Sequence, residues 1–138
     1  MSYKLTLEKA GAKVLEFKEF GSYQGTWLAK VEYDRETGWV QGSYGSCSGC
    51  DAFQAEFEWS EEPYYNEQDK TWELNYEVVT EEVALDAQNK YNNKLCNFGK
   101  TYLDSGLYTQ EQIEKLISED IEWDPEAEEM LKWVQNNK

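Results

Sequence analysis

Apolar and polar positions alternate most cleanly just after residue 26. There Trp27, Ala29, Val31 and Tyr33 fall on one side, and Leu28, Lys30 and Glu32 on the other. A period of two is the mark of a strand. Upstream, Val14, Phe17 and Phe20 lie among Glu16, Lys18 and Glu19 and predict an earlier strand with imperfect alternation. Asp34-Arg35-Glu36-Thr37-Gly38 reads as a hairpin loop, with Gly38 available for a left-handed position. Trp39 and Val40 begin a return strand that runs to about Tyr44. Together these segments predict a three-stranded antiparallel sheet over residues 12–44.

The stretch from Gly42 to Asp51 is too rich in Gly and Ser for a regular element and reads as a tight loop. Asp51 can cap a short helix bearing Ala52, Phe53, Ala55, Phe57 and Trp59; the strict alternation of Phe53, Ala55, Phe57 and Trp59 fits a strand equally well. Residues Ser60 to Lys70 read as an acidic loop, and Trp72 to Val79 as one more strand.

Beyond Thr80 the period changes to 3.6. Ala84, Ala87, Tyr91, Leu95, Phe98 and Tyr102 form one face of a long helix capped by Thr80 and ended near Gly106. Thr109-Gln110-Glu111-Gln112 has capping-box form and opens a helix that buries Ile113, Leu116 and Ile117. Asp124-Pro125 pairs an N-cap with proline at the first helical position, and Ala127, Met130, Leu131 and Val134 make the inner face of that last helix. The expected fold class is α+β, an N-terminal antiparallel β-sheet of three to four strands packed with C-terminal helices. It forms a single domain over residues 1–138, with no repeat and no long linker.

Composition sharpens this picture. The chain carries 28 acidic and 13 basic residues, a net charge of −15, and no histidine. Acidic chains of low hydropathy are often disordered, but 15 % aromatic content argues for a packed core. No apolar run approaches the ~18 residues of a membrane span, and Met1-Ser2-Tyr3-Lys4 opens no apolar signal segment. A cytoplasmic protein with thiol cysteines is expected.

The charge is divided by position. Residues 1–50 hold six basic and six acidic residues, whereas residues 51–138 hold seven and 22, so the whole excess lies in the second part. Two blocks dominate: Asp51 to Glu82, with 11 acids and one lysine, and Asp104 to Glu129, with ten acids and one lysine. This sign argues against direct binding to nucleic acid, since such binding runs on Lys and Arg. A solvated surface is one explanation. The other is a surface that imitates nucleic-acid phosphates and binds a basic protein that normally holds nucleic acid. The partner-binding candidates are Glu58, Glu61, Glu62, Glu67 and Asp69, with Tyr64 and Tyr65 as aromatic anchors, and then Glu119, Asp120, Glu122, Asp124, Glu126, Glu128 and Glu129.

Little else carries chemistry. Without histidine there is no Ser-His-Asp or Cys-His machinery, and paired carboxylates in so acidic a chain are not diagnostic, so no enzyme activity and no cofactor are expected. Cys47-Ser48-Gly49-Cys50 is a CxxC that reads first as a tight turn; with Cys96 it supplies three weak metal-ligand candidates, whose fourth partner would have to be an Asp, a Glu or water. The Gly-Ser loops match no phosphate-binding motif. They leave an alternative, a small-ligand module for a nucleotide signal using Tyr23, Trp27, Trp39, Ser43, Tyr44 and Ser46.

The block Gly21-Ser-Tyr-Gln-Gly-Thr-Trp27, then Gly38-Trp39-Val40, then Gly42 to Phe53, resembles a group of small phage-encoded proteins of unknown function over roughly residues 20–60. Ala127-Glu-Glu-Met-Leu131 resembles the ending of that group. The resemblance supplies no catalytic residues. It implies a phage accessory protein in the cytoplasm of a bacterial host. There, by analogy, small acidic proteins inhibit nucleic-acid-binding defence enzymes of the CRISPR or restriction type by mimicking DNA.

Overall fold

Trp27, Leu28 and Ala29 are consecutive on one strand, and all three are fully buried. Neighbouring side chains of a strand point to opposite faces, so both faces must be covered. The computed structural model describes residues 2–47, 49, 51–57 and 61–138. In it β1 (Lys13–Gly21), β2 (Gly25–Tyr33) and β3 (Glu36–Tyr44) form an antiparallel sheet in the order β1-β2-β3, as the alternation predicts. On one face Trp27, Ala29, Val31 and Val40 pack with Tyr3 and Leu7 of α1 (Ser2–Lys9) and Leu103 of α3 (Glu81–Leu103). On the other, Phe20, Leu28 and Trp39 meet Ile113 and Ile117 of α4 (Gln110–Glu119) and Ala127, Met130 and Val134 of α5 (Ala127–Asn136). The architecture is α+β, with helices on both faces of the main sheet. Full burial of each of the Leu, Ile, Val, Phe and Met side chains contributes about 1.5–3 kcal/mol.

Trp27 is the centre of the first face. Its ring lies against Gly42, the residue opposite it on β3, where a Cβ would come within 2.5 Å of the indole. Only glycine leaves that room. The Trp27 ring is 5.1 Å from Tyr102, 5.4 Å from Tyr3 and 5.8 Å from Phe17, centroid to centroid. At Gly99 α1 crosses α3 so closely that a Cβ would meet the Thr6 carbonyl. A chain of aromatic contacts continues through Phe98, Phe53 and Phe57 to Tyr91. Phe53 and Phe57 belong to α2 (Ala52–Phe57), so this segment is helical rather than extended. Asp51 caps it, accepting the Gln54 N–H at 2.8 Å.

A second antiparallel sheet, β4 (Tyr64–Asn66), β5 (Thr71–Leu74) and β6 (Glu77–Val79), packs on the N-terminal half of α3, where Leu74 shares a groove with Ala87 and Tyr91. This corrects two expectations. The acidic stretch from Ser60 to Lys70 contains strand β4, with Tyr64 and Tyr65 on it rather than in a loop. Trp72 to Val79 is two strands folded at Asn75-Tyr76, both residues having positive φ (53° and 66°). The part after residue 51 is therefore less uniformly helical than its period suggests.

Other elements shift in smaller ways. The β2–β3 turn places Asp34 and Arg35 in the left-handed region (φ 50° and 67°), while Gly38 sits within β3 opposite Val31. Glycine is needed at position 38 because a Cβ would lie 2.6 Å from that of Leu107. Thr80 caps α3 and Thr109 completes a capping box on α4, as expected. The last helix begins at Ala127, not Pro125: the Asp124 carboxylate accepts the Glu126 N–H at 2.9 Å and stabilises the turn before it. Helix α1 has no counterpart in the sequence reading. Among the described residues no helix is long and apolar enough to cross a membrane.

Candidate functional site

The register of the small sheet decides what it exposes. Tyr65, Trp72 and Val79 pair across the strands in one row, and Tyr64, Glu73 and Val78 in the next. Trp72 and Leu74 share a face, and Leu74 faces α3, so the Tyr64-Glu73-Val78 row points outward. Tyr64 is 64 % and Val78 68 % exposed. At the β5–β6 turn Tyr76 is 96 % exposed, and the Asn75 N–H donates to Glu61 Oε2 at 3.1 Å. Glu62 Oε2 accepts from Gln88 Nε2 at 3.3 Å. Glu61, Glu62, Tyr64, Glu73, Asn75 and Tyr76 enclose a groove of about 330 Å³. Glu67 and Asp69 lie exposed at the β4–β5 turn, which Asn66 Oδ1 organises by accepting from the N–H groups of Gln68 and Asp69. Glu58 lies outside the described residues.

The second acidic block is built differently. Glu119, Asp120 and Glu122 are exposed where α4 ends, with Ile121 and the 84 %-exposed Trp123 among them. Asp124 and Glu126 are half-buried, and a hydrogen bond to Asp124 holds the Glu126 carboxyl above the usual carboxylate range. Glu128 pairs with Lys132 at 3.7 Å and Glu129 with Lys18 at 3.5 Å. Such exposed pairs contribute about 0–1 kcal/mol. The first block rides on α3, which covers the Trp27 face of the main sheet; the second rides on α4 and α5, which cover the Trp39 face. The two blocks therefore belong to opposite layers.

The residues of the small-ligand alternative do not line one cavity. Trp27 and Trp39 are buried on opposite faces of the sheet, and the Trp39 Nε1–H donates to Gln110 Oε1 at 2.9 Å. Tyr44 is buried with its hydroxyl on the Phe20 carbonyl at 2.9 Å, whereas Tyr23, Ser43 and Ser46 are exposed. A groove of about 620 Å³ does open beside β3, lined by residues including Gln41, Thr101, Tyr102, Ser105 and Tyr108. Its Thr101 and Ser105 hydroxyls already donate to the carbonyls of Phe98 and Thr101.

Cys47 is exposed, Cys96 is half-buried on α3, and Cys50 lies outside the described residues. Among the described residues no group of three His, Cys, Asp or Glu side chains is arranged to hold a metal ion. The polar centre of the Gly-Ser loop is instead Asp51, which is 5 % exposed. Its Oδ1 accepts from the Tyr3 hydroxyl at 2.8 Å and the Gly45 N–H at 2.9 Å, and its Oδ2 from Gln54. Burial, reinforced by this carboxylate, pushes the Tyr3 hydroxyl far above the ordinary tyrosine range. Asp51 thus pins α1, the loop and α2 together.

Four exposed side chains of the acidic regions were not singled out as site residues from the sequence: Tyr76, Val78, Ile121 and Trp123. Trp123 had a signal, lying between Glu122 and Asp124, whereas Tyr76 depends on a turn that the strand pattern concealed. Comparison with family models, curated proteins and solved structures finds no match to this chain.

Proposed function

We propose that the protein binds and inhibits a basic, nucleic-acid-handling protein through its acidic surface, the small sheet forming the main contact. One observation carries this reading. Of eleven large hydrophobic residues exposed among the described residues, six (Tyr64, Tyr65, Tyr76, Val78, Ile121 and Trp123) lie within the two acidic regions. Charge that serves only solvation has no need of exposed aromatics beside it. An interface does, because aromatic anchors supply most of the contact energy while charges steer the encounter. In the phage setting that the sequence resemblance implies, the target is a host enzyme of DNA or RNA defence, met in the host cytoplasm and blocked by a surface that stands in for phosphates.

The test is retention of host proteins at low and high salt by the parent and by a Glu61→Lys, Glu62→Lys, Glu73→Lys variant. The expected result is a basic nucleic-acid-binding protein that the parent retains, that salt and added DNA or RNA displace, and that the variant loses. Equal retention by parent and variant contradicts the proposal.

A further inference from the structure

The Tyr64-Glu73-Val78 row is an uncovered sheet face, and the turn beside it contains a side chain that the fold does not use. Tyr76 adopts φ 66° in a two-residue turn, a position where glycine is relaxed and an aromatic residue is not. At 96 % exposure, with no ring contact or hydrogen bond among the described residues, its ring contributes little to the folded chain. The same ring borders the groove of about 330 Å³ that Tyr64, Glu61, Glu62 and Glu73 complete. We propose that this groove docks an arginine side chain of the basic partner, the guanidinium lying against Tyr64 and Tyr76 and pairing with the surrounding glutamates.

This inference rests on the reading above and names the chemistry of its contact. Charge complementarity selects a cation, since residues 51–82 carry 11 acids against Lys70 alone. The mixture of aromatic faces and carboxylates selects arginine over lysine. A planar guanidinium stacks on a ring while its N–H fork pairs with a carboxylate, which a compact, strongly hydrated ammonium does less well. The fold already tolerates cations over rings, with Lys94 Nζ 5.0 Å from the centroid of Phe57 and Lys18 Nζ 5.2 Å from that of Phe20.

Calorimetric titration of the whole protein with an arginine-rich peptide and a lysine-rich peptide of equal length and charge, at physiological salt, tests the inference. The arginine peptide should bind several-fold more tightly. Tyr76→Gly should weaken it about two- to fivefold while leaving the thermal midpoint unchanged or raised, because glycine relaxes the turn. Tyr64→Ala should weaken it by a similar factor and provides a second variant. Equal affinity for the two peptides, or no change on removing either ring, overturns the inference. Equal binding that charge reversal at Glu61 and Glu62 abolishes overturns the inference and leaves the acidic-surface reading in place. Binding of neither peptide also overturns the inference, whereas the reading beneath it fails by its own test, when charge reversal leaves retention of the basic protein unchanged.

Discussion

The two sheets use the same residue types for opposite ends. In the main sheet the strands are nine residues long, both faces are covered, and Trp27 and Trp39 are 0 % and 1 % exposed. In the small sheet the strands are three or four residues long, one face rests on α3, and Tyr64 and Val78 face solvent among glutamates. The first region spends its aromatics on stability. The second leaves Tyr64 and Tyr76 exposed, where their rings contribute little to folding.

The comparison is sharpest between two tryptophans. Trp27→Ala should cost about 3–5 kcal/mol, since it removes a fully buried ring and leaves a cavity between Tyr3, Phe17 and Tyr102. Trp123→Ala should change stability by no more than about 0.5 kcal/mol. Urea denaturation of both variants checks the pair, and similar losses would break the distinction between the regions. Asp51→Ala comes next. It strands the Tyr3 hydroxyl and the Gly45 and Gln54 N–H groups and should cost about 1–3 kcal/mol, read from the same unfolding curves.

A third effect is alkaline. Tyr3 and Tyr102 both titrate above the ordinary tyrosine range, chiefly because they are buried, with Asp51 adding to each. In the unfolded chain tyrosines ionise near pH ~10. The stability that these two contribute is therefore complete below that pH and is lost as the pH rises toward their folded values. Thermal midpoints followed through this range should fall, and Tyr3→Phe should make the fall shallower. A modest loss belongs to the capping box. Thr109→Ala should cost about 1 kcal/mol, seen as a lowered denaturation midpoint with unchanged slope.

The main sheet was legible because Trp27 to Tyr33 alternate over seven residues and a hairpin loop follows them. The long helix was legible because six apolar residues repeat at its period. Helix α1 was not, because Tyr3 and Leu7 give only one helical repeat and Thr6, buried beside them, reads as polar. Strands β4 to β6 were hidden by length: three residues contain too few alternations, and Tyr76 stands where a turn glycine would have announced the hairpin. Charge arithmetic located the acidic regions without any structure. It did not show that the two ride on opposite layers, since that depends on which face of the main sheet each helix covers. Nor did it show that Trp123 is exposed, because a tryptophan in a sequence reads first as core.

The central claim is that the outward face of the small sheet is the contact surface. Amide hydrogen exchange of the whole protein, with and without the basic protein that it retains, tests this most directly. Slowed exchange across residues 61–79, with the edge of β3 unchanged, is the predicted result. Slowing confined to residues 40–46 and 101–112, around the groove beside β3, would contradict it.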